Sequence, residues 1–231
     1  MTDVVYLVDV DNTLLDNDAV IEDLRKHFAN AFGAEREQRY WEIFEGLRSE
    51  LGYADYLGAL QRYRVERPRE PRLLQISLYL LHYPFGDRLY PHALDVVAHL
   101  RRSGPVVVLS DGDVVFQPRK VERSGVWQAV DGEVLIYVHK EQMLDDVERR
   151  YPARRYVVID DKLRILTAVK RIWGARVTTV FVRQGHYAHD PAILADYPPA
   201  DVAIDAIGDL LTLDSHALLE GPAPSAIGRT S

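Results

Sequence analysis

The chain has 231 residues, 47% hydrophobic and 27% charged, which predicts a globular protein with one large domain or a core domain carrying an insert. Its net charge of −7 argues against a nucleic-acid partner, because binding a phosphate backbone needs a basic surface. The absence of cysteine excludes a disulfide framework, an iron–sulfur cluster and a thiol nucleophile. No apolar run is long enough for a signal peptide or a membrane-spanning helix, so we expect a cytoplasmic protein with no membrane partner.

The first predicted element is a buried strand over Val4 to Val8, where a short apolar run is rich in β-branched residues. Two carboxylates follow directly, Asp9 and Asp11, with Val10 between them. Ligands of open α/β sheets bind where strands reach their carboxyl ends. Two carboxylates at that point would repel each other unless a cation lay between them, so this turn is a candidate metal site.

Residues 17 to about 86 form a helical block in which no strand is predicted. Asp16 or Asn17 can cap its first helix, and apolar residues recur at helical spacing in four segments. Residues 62–72 are predicted to be a connection, because they are basic and are broken by prolines. This block interrupts a chain that otherwise alternates between strands and helices.

Strands and helices alternate from Tyr90 onward. The predicted strands are Val106 to Leu109, Val134 to Val138, Tyr156 to Ile159, Val177 to Val182 and Val202 to Ile204. One helix is predicted to begin at Pro91. Three more are predicted at Pro118 to Ser124, residues 141–150 and Leu163 to Trp173, and Leu210 to Leu213 is predicted to lie in or near the last helix. The tail from Gly221 is small and polar, and we expect it to be loose.

This alternation predicts an α/β fold class: a Rossmann-like, mostly parallel sheet with helices on both faces, plus an inserted all-helical domain. The predicted domains are an α/β core, residues 1–16 and 87–231, and a helical insert, residues 17–86.

Four predicted strands end in polar side chains that a parallel sheet brings to one edge. They are Asp9 and Asp11, Ser110, Lys140, and Asp160 with Asp161. Carboxylates bind Mg²⁺ through oxygen, and a hydroxyl with helix-start amides can hold phosphate oxygens. A lysine adds a point charge for a phosphate or a nucleophilic carboxylate. Together these groups suit phosphoryl transfer, which depends on positioning and charge neutralisation.

Four motifs in order, DVDNT, VVVLS, the lysine after VLIYV, and VVIDD, resemble the haloacid dehalogenase-like superfamily of hydrolases. The resemblance covers residues 4–15 and 88–213, and includes the later segment TTVFVRQG. The helical block at 17–86 lies where many members insert a helical cap, so the resemblance implies a cap domain there.

The resemblance also implies catalytic roles. Asp9 would be the nucleophile that forms an aspartyl-phosphate, and Asp11 would protonate the leaving oxygen and later deprotonate water. Ser110 would hydrogen-bond the phosphoryl group, and Lys140 would pair with Asp9 and the phosphate. Some members that cleave carbon–halogen bonds lack the second acid, so the presence of Asp11 favours phosphate chemistry.

The implied cofactor is Mg²⁺, held by Asp9, the backbone carbonyl of Asp11, Asp160 and Asp161. The last two form an adjacent pair, and Ile165 stands where some relatives place a further acid. Whether Asp160 binds the metal directly or through water is left open.

Lys120 is a rival for the third motif, because Lys140 is not followed by the proline that often accompanies this lysine. Lys120 falls on the helix after Ser110, which leaves the sheet edge, and no strand precedes it. We therefore expect Lys120 to lie on the surface and its replacement by alanine to leave activity near wild type.

The sequence predicts a Mg²⁺-dependent phosphatase that acts on a small phosphorylated metabolite. A phosphomutase or other phosphotransferase would use the same site, and a non-catalytic relative could bind a phosphorylated ligand or a protein. The sequence leaves the substrate and the oligomeric state unknown.

Overall fold

The computed structural model describes residues 2–213 and Leu218, so the tail that was predicted to be loose lies outside the described residues. Within this part of the chain, six strands form one sheet in the order β3-β2-β1-β4-β5-β6, and every pairing is parallel. The strands are β1 (Thr2–Val8), β2 (Val106–Asp111), β3 (Val134–Tyr137), β4 (Ala153–Asp160), β5 (Val177–Val182) and β6 (Val202–Ile204). The predicted α/β fold class is confirmed.

The register of the sheet brings the carboxyl ends of its central strands together. Val8, the last residue of β1, pairs with Val108 of β2 and with Ile159 of β4. Ser110 of β2 pairs in turn with Ile136 of β3. Residues that follow these strands therefore start from the same edge of the sheet.

Helices cover both faces of the sheet, as the alternation of side chains along β1 requires. Val4, Tyr6 and Val8 belong to an apolar core that includes α5 (Ala93–Leu100). Val5 and Leu7 face the opposite way, into a second core with α8 (Leu144–Arg150) and α9 (Leu163–Trp173). Burial on both sides explains why β1 is a continuous apolar run.

Between β1 and β2 the chain forms four α-helices, α1 (Asn17–Phe32), α2 (Ala34–Leu51), α3 (Tyr56–Glu66) and α4 (Leu73–His82). We call these helices the helical insert. The Asp16 carboxylate accepts a hydrogen bond from Ala19 N and so caps α1, as predicted. The core of the helical insert is aromatic: the rings of Phe28 and Tyr40 stack with their centroids 4.8 Å apart. That the insert is a separate domain with bounds at 17 and 86 stays a prediction.

The two segments that connect the insert to the sheet lie side by side. Leu15 and Leu89 form an isolated antiparallel bridge. Asp16 N donates to Arg88 O at 2.8 Å, and Tyr90 N donates to Leu14 O at 2.9 Å. The insert is thus joined to the core through one narrow, paired crossing.

Several predicted boundaries were wrong. The connection predicted at 62–72 begins later, because α3 continues to Glu66. Pro91 precedes α5 instead of opening it, since His92 takes a positive φ of 65°. A 3-10 turn, Lys140–Gln142, precedes α8. Leu210, by contrast, lies in a helix as predicted, the 3-10 helix Ile207–Leu211.

The remaining helices are α6 (Phe116–Arg123), α7 (Val126–Ala129) and α10 (Pro191–Ala195). Of these, only α6 was predicted. No helix in the described part of the chain is long and apolar enough to cross a membrane.

Candidate active site

Asp9 is the first residue after β1, and its side chain is buried at the carboxyl edge of the sheet. Its Oδ1 accepts a hydrogen bond from Lys140 Nζ at 2.6 Å and a longer one from Ser110 Oγ at 3.3 Å. Its buried Oδ2 has no hydrogen-bond partner among the described residues. Burial raises the pKa of Asp9, but the charges of Lys140 and Lys162 outweigh it, so the pKa lies below its ordinary value. Asp9 is therefore an ionised carboxylate with one oxygen free.

Lys140 supplies the cation beside Asp9. It begins the 3-10 turn after β3, and its backbone N donates to Asp111 Oδ1 at 2.7 Å, which fixes the turn against the end of β2. Its fully buried ammonium also lies 2.6 Å from Asp160 Oδ2 and donates to Leu109 O at 3.2 Å. Burial would lower the pKa of Lys140, but the carboxylates of Asp160 and Asp9 raise it above its ordinary value. Lys140 thus stays charged at neutral pH.

Three buried carboxylates form a cluster that can hold a metal ion. Oxygens of Asp9, Asp160 and Asp161 lie within 4.8 Å of one another. Both oxygens of Asp161 are buried and accept no hydrogen bond from the described residues, and its closest cation, Lys162 Nζ, is 4.0 Å away. Burial, reinforced by the charges of Asp160 and Asp9, raises the pKa of Asp161 well above its ordinary value.

The same cause, burial, also raises the pKa of Asp160. Buried carboxylates with so few donors are costly unless a cation compensates them. Clustered carboxylate oxygens are the ligands that a hard divalent cation such as Mg²⁺ takes. The residues present therefore fit a divalent metal.

Asp11 is brought to the same edge, but its carboxylate lies outside this cluster. Its two oxygens accept hydrogen bonds from Lys120 Nζ at 2.7 and 2.8 Å. We predicted that Asp11 contributes only its backbone carbonyl to the metal site. Its side chain is paired with Lys120 instead of facing the cluster. The Asp11–Lys120 pair is a second ion pair in the site, beside the one between Asp9 and Lys140.

The expectation that Lys120 lies on the surface was wrong. Its side chain is only 1% exposed. The buried face of α6 consists of Phe116, Gln117, Lys120 and Val121. The predicted helix, Pro118 to Ser124, was interpreted as a polar helix that leaves the site. The helical spacing of the buried residues of α6 was the signal that could have placed Lys120 inward.

Ser110 sits within β2, fully buried, with its hydroxyl directed at Asp9. Its Oγ also accepts a hydrogen bond from Gln117 Nε2 at 3.0 Å. Gln117, a residue that the sequence did not single out, approaches so closely that a Cβ added to Gly112 would lie 2.6 Å from Gln117 Cβ. Only glycine fits at position 112, so α6 can deliver Gln117 to Ser110.

A cleft of about 690 Å³ opens between the helical insert and this edge of the sheet. Asp11 and Asp111 line its core side, and Trp41 and Arg48 line its insert side. His186, at the start of a 3-10 helix that follows β5, bridges the two sides, because its Nδ1 lies 2.6 Å from Asp18 Oδ1 at the start of α1. A small ligand in this cleft would contact both the insert and the polar strand ends.

Comparisons with known proteins bear on the family and on the fold. The family model of haloacid dehalogenase-like hydrolases matches residues 5–172. The crystal structure of a haloacid dehalogenase-like hydrolase from Burkholderia xenovorans LB400 is 63% identical, with a TM-score of 0.89, covering 93% of this chain and 100% of that one. No curated protein sequence matches the chain.

Two more distant structures show the fold alone. The HAD-hydrolase YfnB from Bacillus subtilis, bound to magnesium, is 16% identical, with a TM-score of 0.58 over 92% of this chain and 98% of that one. The L-2-haloacid dehalogenase from Xanthobacter autotrophicus, with chloropropionic acid covalently bound, is 17% identical, with a TM-score of 0.60 over the same shares. The same fold thus occurs in an L-2-haloacid dehalogenase and in a hydrolase that binds magnesium.

Proposed function

The chain belongs to the haloacid dehalogenase-like hydrolases, and we propose that it is a Mg²⁺-dependent phosphatase acting on a small phosphorylated metabolite through an aspartyl-phosphate. One observation carries the proposal. Asp9 presents a free carboxylate oxygen within a cluster of buried carboxylates that needs a cation, while Lys140 holds its other oxygen. That is the arrangement expected of a nucleophile that attacks an anionic group.

The first half-reaction is a transfer to Asp9. The free Asp9 oxygen attacks phosphorus, an O–P bond forms, and the ester P–O bond breaks. Asp11 must enter this step as the carboxylic acid; it gives its proton to the leaving oxygen, which departs as an alcohol, and becomes the carboxylate. Ser110 and Lys140 hold the phosphoryl oxygens, and Lys140 also holds Asp9. The attacking oxygen, the phosphorus and the leaving oxygen are thereby kept in line. A Mg²⁺ bound by Asp9, Asp160 and Asp161 would supply charge neutralisation at the phosphoryl group.

The second half-reaction returns the enzyme to its starting state. Asp11, now a carboxylate, takes a proton from water as the water oxygen attacks phosphorus. The Asp9–phosphorus bond breaks, and inorganic phosphate leaves. If a second hydroxyl compound took the place of water, the same residues would perform phosphoryl transfer, and the site does not distinguish these acceptors.

Phosphate chemistry is favoured over carbon–halogen cleavage by two features of this site. A halide leaves without a proton, so dehalogenation has no use for Asp11 as the acid that protonates a leaving group. Displacement of halide by Asp9 also needs no metal, whereas the Asp9–Asp160–Asp161 cluster is poorly compensated without one. The likeness to the L-2-haloacid dehalogenase is therefore a likeness of fold.

The experiment is a panel of phosphorylated metabolites with Mg²⁺, in which release of inorganic phosphate is followed, beside a panel of L-2-haloacids in which halide release is followed. We expect phosphate release from at least one ester, abolished in Asp9→Asn and retained in Asp205→Asn, which alters an exposed carboxylate after β6, an outermost strand of the sheet. Halide release without phosphate release would refute the proposed function.

A further inference from the structure

Lys120 is a buried lysine whose ammonium hydrogen-bonds, among the described residues, to Asp11 and Asn17. An ammonium has three N–H donors. Those of Lys120 are taken by Asp11 Oδ1 at 2.7 Å, Asp11 Oδ2 at 2.8 Å and Asn17 Oδ1 at 2.9 Å. Among the described residues, no hydrogen bond joins Lys120 to the Asp9–Asp160–Asp161 cluster. Asp11 is therefore the residue through which Lys120 is joined to the proposed reaction.

The helix that carries Lys120 is also the core element that packs on the helical insert. The ring of Phe116 lies 5.0 Å from that of Tyr56 at the start of α3. Arg119 Nε donates to Leu81 O at the end of α4, at 3.0 Å. Asn17, which supplies the third acceptor atom for Lys120, is the first residue of α1. Lys120 therefore stands where the insert meets the catalytic edge of the sheet.

We propose that Lys120 is a positioning residue: it holds the Asp11 carboxylate beside the reaction centre and, through Asn17, ties that carboxylate to the start of the helical insert. The proposal rests on the proposed function, since it assigns Asp11 the proton transfers. It adds a role for a residue outside the four motifs, and a route by which the position of the insert sets the position of the proton-transfer group.

The physical reason is the freedom that Asp11 would otherwise have. Its side chain is 22% exposed, so without a partner it could adopt other rotamers and turn toward water in the cleft. An ammonium that takes both carboxylate oxygens selects one rotamer. A displacement of about 1 Å in a reacting group can cost on the order of 100-fold in rate. A buried, fully paired lysine is well suited to prevent that displacement.

The test is a double-mutant cycle of Asp11→Asn and Lys120→Met, with phenyl phosphate and p-nitrophenyl phosphate as substrates. Lys120→Met alone should lower kcat on phenyl phosphate by about 10- to 100-fold with KM within about twofold, because it disturbs proton transfer and not binding. p-Nitrophenolate leaves readily without a proton. Lys120→Met should therefore slow the pre-steady-state release of p-nitrophenolate less than it slows the reaction of phenyl phosphate. In the double variant Lys120→Met should add nothing to the loss from Asp11→Asn.

The matched control is Arg119→Met, which removes a neighbouring cation of the same helix that faces the insert instead of the site. It should keep kcat within about twofold of wild type. Losses that multiply in the double variant, or a raised KM with unchanged kcat in Lys120→Met, would overturn the proposal. If Lys120→Met fails to fold, Lys120→Gln keeps a donor at similar reach and is put through the same cycle.

A crystal structure of the Lys120 variant tests the positioning role independently of activity. We expect the Asp11 carboxylate to shift by about 1 Å or more from its place in the wild type, and not to shift in Arg119→Met. An unmoved carboxylate refutes the role of Lys120 even if the enzyme is a phosphatase. Failure of the proposed function would appear elsewhere, as a wild type with no phosphate release.

Discussion

The ammonium of Lys140 lies 2.6 Å from Asp9 Oδ1, although the two residues are 131 positions apart in the sequence. The pair exists because β1 and β3 end at the same edge of a parallel sheet, with β2 between them. It keeps Asp9 ionised in a buried setting and fixes which of its oxygens is free. The central claim of our account is that this free oxygen becomes bonded to phosphorus.

Replacement of Lys140 tests its role as charge partner. Lys140→Met should lower kcat by about 100- to 1000-fold, because removal of a preorganised charge in such a site typically costs that much. Lys26→Met, which removes an exposed cation on α1, is the control and should remain near wild type. Steady-state kinetics on the best ester of the panel, with a thermal unfolding curve for each variant, is the measurement. Equal rates for the two variants would show that Lys140 has no part in catalysis.

Metal binding should be measurable in two ways, as catalytic activity and as thermal stability in the absence of substrate. Excess chelator should abolish activity and Mg²⁺ should restore it, because the clustered carboxylates need a cation. Mg²⁺ at about 100 times its Kd should stabilise the protein by about 2.7 kcal/mol, which raises Tm by about 5 to 10 °C in a chain of this size. Asp161→Asn should lose most of this shift, and Asp205→Asn should keep it. Full turnover in chelator, or the same shift in both variants, would rule out the site.

The helical insert should move relative to the core when a phosphate analogue binds, since closure excludes water from the reacting centre. We predict hinges near Asp16–Asn17 and Phe85–Asp87, where the two crossing segments lie together. The absence of native cysteine allows unique labelling. Energy transfer between dyes at Lys26→Cys on the insert and Arg171→Cys on the core should change on adding Mg²⁺ with beryllium fluoride.

A pair of dyes within the core, at Arg171→Cys and Asp205→Cys, is the control for this motion and should give a constant signal. The contact between His186 and Asp18 should be among those that change, because it spans the cleft. If energy transfer between the insert and the core stays constant with the analogue bound, the helical insert does not move as predicted. That result would also count against the prediction that the insert is a separate domain.

Much of the fold followed from local patterns in the sequence. Val4 to Val8 is a continuous apolar run and Leu163 to Trp173 has apolar residues at helical spacing, and both elements were predicted close to their observed bounds. Bounds were missed where backbone geometry decides them, as at Pro91, where the positive φ of His92 delays α5.

The candidate site was predictable only in part. Asp9, Ser110 and Asp160 end or follow strands, so parallel topology alone predicts that they meet. Lys120 and Gln117 lie on a helix, where their direction depends on how α6 packs against the insert and on the close approach at Gly112. The helical spacing could indicate a buried face on α6, but what that face contacts depends on tertiary packing, and Lys120 was therefore predicted on the wrong side of its helix.

The most direct test is to trap the intermediate on Asp9. Wild-type enzyme with Mg²⁺ and a ³²P-labelled ester is quenched in acid during turnover, and the labelled peptide is identified by mass spectrometry after borohydride reduction, which converts an acyl-phosphate aspartate to homoserine. Our account predicts label and homoserine at position 9, and none in Asp9→Asn, whose amide is a poor nucleophile. Continued turnover with no phosphate ever found on Asp9 would contradict the covalent mechanism.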